Sequence, residues 1–205
     1  ERGSGGIAQW STQNTNLPSN SIRDLSTDDQ GNLWALTNSG LSKWDGSTWE
    51  NFGASQGLTS SYFISQPITD STFIVSNTFS SGVVYYNGTS ATAFKSFNTT
   101  GLASNTHSDF ERMPNSSAAV ATNSGLSVFN GSSFTLYKQS AGLLSNNIKS
   151  LKYDWTNNAL WMGHNNGAHG LSSMNPVTGT ITNYSASSPS AAITEITIGG
   201  TDSVI

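Results

Sequence analysis

The chain has no cysteine, which removes disulfide frameworks, thiolate metal sites and cysteine nucleophiles from consideration. Charge is scarce too. Eight Lys and Arg and twelve Asp and Glu make a charged fraction of 10% in 205 residues, against about 25% in an ordinary soluble domain. The basic residues are scattered, with no stripe to neutralise phosphates, and the net charge is −4. This excludes nucleic acid as a partner. No apolar run approaches the roughly 20 residues that span a bilayer, so no membrane insertion is expected of this segment. Helical periodicity is missing throughout.

What the chain has instead is Ser, Thr and Asn in excess, and aromatics. Six Trp, nine Phe and six Tyr argue against disorder, because disordered segments are poor in aromatics and strand formers. The surface is therefore wetted by hydroxyls and amides rather than by charge. That composition points to an extracellular or cell-surface location in a bacterium, with the periplasm as the alternative.

The sequence also repeats about every 42 residues. A Gly followed by an aliphatic residue recurs at Gly40-Leu41, Gly82-Val83, Gly125-Leu126 and Gly170-Leu171. A turn follows each: Asp45-Gly46, Asn87-Gly88, Asn130-Gly131 and the looser Pro176 to Gly179. A leucine phrase recurs between units at Leu17-Pro18-Ser19-Asn20, Leu58-Thr59-Ser60-Ser61, Leu102-Ala103-Ser104-Asn105 and Leu143-Leu144-Ser145-Asn146. Within the first whole unit, strands are expected over 21–26, 33–37, 41–44 and 47–52. Asp45-Gly46 reads as a two-residue hairpin turn with both residues at positive φ. Four short antiparallel strands per repeat are a β-propeller blade. The fold class is all-β, one propeller over residues 1–205, with blades near 20–52, 61–97, 105–137 and 147–184. Partial blades are expected at 1–10 and 191–205: a lone fourth strand over Ile7 to Trp10 and a lone first strand over Ile193 to Ile198. The ring is expected to continue beyond one or both ends, its strand edges covered by the rest of a longer polypeptide or by like copies in a fibre-like assembly. Trp34 and Trp161 hold the same place in their second strands and are expected to be buried alike.

The series Leu17-Pro18-Ser19-Asn20-Ser21-Ile22, Asp28, Gly31-Asn32-Leu33-Trp34, Thr37-Asn38-Ser39-Gly40-Leu41 and Trp44-Asp45-Gly46 resembles the two-component regulator propeller repeat. Gly142 to Ile148, Leu160-Trp161 and Gly170-Leu171 of the fourth unit are similar. The resemblance implies a non-catalytic propeller that binds ligands or partners. It implies either the periplasmic sensor region of a hybrid two-component system or a large secreted or surface protein, many of these using type IX secretion. It carries no shared catalytic residues.

Chemistry sought directly is sparse, and no catalytic, cofactor or metal residues are assigned. His107, His164 and His169 lack a metal-ligand spacing. Asp24, Asp28, Asp29, Asp70, Asp154 and Asp202 recur at or near the ends of first strands, which indicates turn hydrogen bonds rather than a catalytic carboxylate pair. Ser26 to Trp34 is similar to the Asp-box of sialidase propellers, but one residue too long between Asp28 and Gly31. Binding is expected on the face bearing the loops between second and third strands: Asn38, Ser39, Asn123, Ser124, His164, Asn165, Asn166 and His169. A neutral amide and hydroxyl face suits a glycan or a protein partner. The leading reading is a non-catalytic structural, adhesive or interaction module of a secreted or surface protein. A periplasmic ligand-sensing propeller is the alternative, and a glycan-active enzyme a weaker one.

Overall fold

The computed structural model describes residues 9–58, 62–77, 82–165, 170–185, 193–199 and 203–204. It contains four four-stranded antiparallel sheets, each built in chain order. The first comprises β1 (Ile22–Thr27), β2 (Leu33–Thr37), β3 (Gly40–Trp44) and β4 (Trp49–Phe52). The second comprises β5 (Tyr62–Pro67), β6 (Phe73–Asn77), β7 (Val83–Tyr86) and β8 (Ala91–Phe94). The third comprises β9 (His107–Met113), β10 (Ser117–Thr122), β11 (Gly125–Phe129) and β12 (Phe134–Tyr137). The fourth comprises β13 (Ile148–Asp154), β14 (Ala159–His164), β15 (Gly170–Met174) and β16 (Ile181–Ser185). The only helical segments among the described residues are two single 3₁₀ turns, Ala54–Gln56 and Gln139–Ala141. No helix there is long and apolar enough to cross a membrane. The four expected blades are present, and the fold is a β-propeller.

A single blade is apolar on both faces, so its faces must be buried against neighbouring blades. Three mixed clusters accomplish this. Trp34, Leu36, Leu41 and Phe52 of the first sheet pack with Tyr62, Phe73, Val75 and Tyr86 of the second. Ile74 and Val83 meet Phe110, Val120 and Phe129 across the next seam. Ala119, Ala121 and Leu126 meet Ile148, Leu151, Leu160 and Met162 across the third. Leu58, Leu102 and Leu143 each belong to one of these seam clusters, and Leu17 belongs to a fourth with Ala35 and Trp49. The recurring leucine phrase is thus a plug: the connection between blades drops one leucine into the seam it crosses.

The recurring glycine has an equally local cause. Gly40 has φ +137°, and a Cβ there would lie 2.7 Å from the Phe52 carbonyl oxygen. Gly125 repeats this against the Tyr137 carbonyl, also at 2.7 Å. Third and fourth strands approach too closely at this corner for any side chain.

The hairpins between third and fourth strands differ from expectation. Trp44 pairs with Trp49, so the loop is Asp45 to Thr48, four residues rather than two. Gly46 has positive φ, but Asp45 does not. Asp45 instead accepts the Ser47 and Thr48 N–H groups on Oδ1 at 2.8 and 2.7 Å. Asn87, Asn130 and Asn175 do the same in their blades. A side chain that satisfies two backbone donors replaces the second strained residue.

The expected terminal strands are reduced. Gln9 and Trp10 are not in a strand, and Ile7 and Ala8 lie outside the described residues. Of Ile193 to Ile198 only the last residue is in a strand, β17 (Ile198–Gly199), which pairs with β18 (Ser203–Val204). Trp34 and Trp161 are not buried alike. Trp34 is fully buried, stacked 5.3 Å from Phe52 and 5.4 Å from Phe73 of the next blade. Trp161 is half-buried and, among the aromatics of the described residues, meets only Tyr184, itself half-exposed. The difference is the neighbour: Trp34 has a complete blade over it.

Trp34→Ala is expected to cost about 3–5 kcal/mol in chemical denaturation, the range for a buried aromatic, and Trp161→Ala clearly less. Equal losses would contradict the packing difference. Gly40→Ala is expected to destabilise by about 1–3 kcal/mol, since it combines a strained φ with a clash. A neutral Gly40→Ala in the same assay would show that the corner can open.

Candidate ligand-binding groove

The first strands β1, β5, β9 and β13 neighbour one another in order, and each starts with the same irregularity. Ile22 pairs with Thr37 but Asp24 with Leu36, leaving Arg23 as an extra residue. The register shifts likewise between Tyr62 and Ile64, between His107 and Asp109, and between Ile148 and Ser150. A bulge bends the strand and re-aims the side chains beside it. The free edges of the four first strands, three of them carrying charged residues, line one groove.

That groove has a volume of about 540 Å³ and is lined by all four first strands and the turn after β13. Six of the chain's twenty charged residues line it: Arg23, Asp24, Asp109, Glu111, Arg112 and Lys152. With a tenth of the chain charged, a lining of this size would hold one or two by chance.

The carboxylates are bound to neighbouring blades. Asp24 Oδ2 accepts the Ser65 N–H at 3.0 Å. Asp109 Oδ2 accepts the Leu151 N–H at 2.7 Å, and its Oδ1 accepts the Phe110 N–H at 2.8 Å. Glu111 Oε1 accepts the Tyr153 N–H at 3.1 Å and lies 3.6 Å from Lys152 Nζ. The Ser65, Leu151 and Tyr153 N–H groups satisfied in this way lie on first strands and face the preceding blade rather than a sheet partner. Burial pushes Asp109 up to about 7, reinforced by the nearby Glu111 charge and opposed by its two N–H donors and Lys152. Burial likewise raises Glu111 against the pull of Lys152 and the Tyr153 N–H, and raises Asp24 against the Ser65 N–H.

The basic side chains stand further forward. Arg23 is exposed and donates from Nε to Asn38 Oδ1. Lys152 keeps 43% of its side chain accessible. Arg112 lies with its guanidinium 4.7 Å over the ring of Trp155. Trp155 is 53% exposed, its edge set against Tyr153 at 4.8 Å.

The expected loop face fares differently. Asn38, Ser39 and Asn123 are exposed and Ser124 is half-buried; the Ser39 and Ser124 N–H groups make turn hydrogen bonds to the Thr37 and Thr122 hydroxyls, while Asn38 Oδ1 accepts from the groove's Arg23. His164 is not on the surface. It is fully buried, its Nε2 2.8 Å from Ser172 Oγ, whose hydroxyl donates to Asn183 Oδ1 at 2.6 Å. Burial holds its imidazole down at about 4. His164 occupies the position of Thr37 and Thr122 in other blades, the inward-facing end of the second strand. Asn165 is half-buried and tied to Asn147 and Ser145. Asn166 and His169 lie outside the described residues. His107 bridges Ser76 Oγ and the Ser104 carbonyl, each at 3.0 Å, and burial lowers it to about 4.

The aspartates divide in two. Asp28 and Asp154 do serve turns. Asp28 accepts from Gln30 N, Asn32 N, Asn32 Nδ2 and, at 2.9 Å, Trp34 Nε1. Burial alone would raise it, but these donors hold it below the usual carboxylate value. Asp154 accepts from Thr156 N, Asn157 N and Asn157 Nδ2. Asp24 is instead a seam residue inside β1, a correction to its reading as a turn aspartate. Asp109, Glu111, Arg112, Lys152 and Trp155 were not anticipated as a site. The one available signal was that strands of a charge-poor chain carry charge.

Among the described residues no group of three or more His, Cys, Asp and Glu side chains could hold a metal ion. Residues 16–39 match the family model described as two component regulator propeller. Residues 16–39 thus carry one two-component regulator propeller repeat. Those residues run from the leucine plug through the Asp28 turn to the corner before Gly40, so the match covers the parts whose packing is described above. No curated protein matches the chain. Two solved structures share the fold. One is described as the extracellular domain of a hybrid two component system, BT3049, from B. thetaiotaomicron, with 18% identity over 86% of this chain and 26% of that one, TM-score 0.60. The other is described as the extracellular domain of a hybrid two component system, BT4673, from the same organism, with 16% identity over 92% and 31%, TM-score 0.59. The chain thus spans about a quarter to a third of the length of these propeller proteins.

The raised Asp109 has a definite sign in stability. Its contribution is fully present below the unfolded value near 3.8 and is lost as pH rises through about 7. The lowered histidines act oppositely, their contribution being lost as pH falls toward about 4, but they cancel when wild type is compared with Asp109→Asn. Between pH of about 5 and 8 the wild type is expected to lose stability relative to Asp109→Asn in urea unfolding. A constant difference across that range would place Asp109 in solvent.

Proposed function

We propose that this chain is part of the ligand-sensing propeller of a hybrid two-component regulator, lying outside the cytoplasmic membrane, and that its ligand contacts the groove along the first strands. The observation that carries this is the gathering of six charged residues and an exposed tryptophan in one cavity of an otherwise charge-poor protein. The repeat at 16–39 and the descriptions of the two similar structures favour the same reading. The structural or adhesive role expected from composition has no comparable feature behind it. The groove reads as a binding surface rather than a catalytic one. Its three carboxylates each accept a backbone N–H of the next blade, which gives them a structural duty in the seams. In such a regulator this chain is one stretch of a longer polypeptide, and a protein partner or a glycan remains the chemistry that its neutral rims suit.

The test is a thermal-shift screen of the chain with soluble saccharides and small organic acids. A ligand present at 100 times its Kd stabilises by about 2.7 kcal/mol, which is readily seen as a rise in Tm. The rise is expected to vanish in Trp155→Ala and to survive in the loop variant Asn123→Ala. A rise that survives in the first and vanishes in the second would move the binding surface to the loop face.

A further inference from the structure

Taking the groove as the ligand surface, its two signs of charge are not equally available. Each carboxylate accepts at least one backbone N–H across a blade seam or from its own strand, and those bonds help hold the blades together. Lys152 forms an ion pair with Glu111 at 3.6 Å and is nearly half accessible. Arg112 makes no hydrogen bond or ion pair among the described residues, and its guanidinium carbon stands 4.7 Å from the centre of the Trp155 ring. The five N–H donors of a guanidinium offer a planar fork to an oxyanion.

We infer that Arg112, Lys152 and Trp155 form a subsite for a ligand that carries a single carboxylate on a ring. Arg112 takes the carboxylate through its paired N–H groups. Lys152 adds the second positive charge, and the exposed part of the indole covers the apolar face of the ring. The two coplanar oxygens of a carboxylate match one Arg fork, whereas a phosphate brings a third oxygen that this fork leaves unmatched. Asp24, Asp109 and Glu111 stand close by and repel either anion, and the partial neutralisation of Asp109 near neutral pH lowers that repulsion.

The test is calorimetric titration of the chain with the methyl glycoside of galacturonic acid, which has one carboxylate on one ring, its methyl ester and acetate. The acid is expected to bind at least about tenfold tighter than the ester, and Arg112→Gln to remove that preference while Tm stays unchanged. Arg112→Lys, which keeps the charge but loses the fork, is expected to fall between. Acetate binding as tightly as the ring acid would overturn the ring contact with Trp155 and with it the proposed subsite. Ester binding as tightly as acid, or acid binding undiminished in Arg112→Gln, would overturn the subsite while leaving the sensory reading intact. If no probe binds and no compound of the wider screen binds either, both fail.

Discussion

The constraint on which this structure depends is that a four-stranded blade cannot hide its own faces. Each sheet is too small to fold over itself, so its apolar residues become buried only where a second sheet stands against them. The contrast between Trp34 and Trp161 expresses this directly. The two residues occupy matching strands, yet one is sealed by Phe52, Phe73 and Tyr86 and the other touches Tyr184 alone among the described aromatics. Burial here is a property of the pair of blades rather than of the residue.

The polar architecture follows from the same constraint. Seams close tightly only if the backbone groups along them are satisfied, and the first strands have N–H groups that face the preceding blade rather than a sheet partner. Asp24, Asp109 and Glu111 meet those groups. This is expensive in a low-dielectric setting, and the cost is visible in the raised carboxyls of all three. The same side chains define the floor of the groove. Stability and recognition therefore share a surface, with the acids turned to the protein and the bases turned to solvent.

Hydroxyl and amide chains that start on a buried serine play a related part farther out. Ser42 donates to Asn51, whose amide reaches the Asn16 carbonyl, and Ser172 with Asn183 and Gly142 repeats the arrangement in the fourth blade. In each, third strand, fourth strand and the incoming connection are joined by one polar line. A chain so rich in Ser and Asn uses them inside as well as outside, which is why composition alone suggested only a wet surface.

The sequence by itself determined the blade. Period, glycine corners, Asp or Asn turns and leucine phrases are local demands of geometry: a Cβ that would strike the Phe52 carbonyl, a turn whose donors need an oxygen within two residues, a seam that needs one plug. Each leaves its mark within a few positions of itself. The turn length after Asp45 was misjudged because a side chain supplied what a second positive φ would have supplied. Only the tertiary structure decided the site. Asp24, Asp109, Glu111, Arg112, Lys152 and Trp155 come from three blades, and nothing in their spacing says that they meet. Their convergence rests on the first strands β1, β5, β9 and β13 standing side by side with their free edges toward one groove. His164 shows the reverse error: its place beside an Asn-Gly loop suggested exposure, but the end of the second strand points inward, where Ser172 receives it.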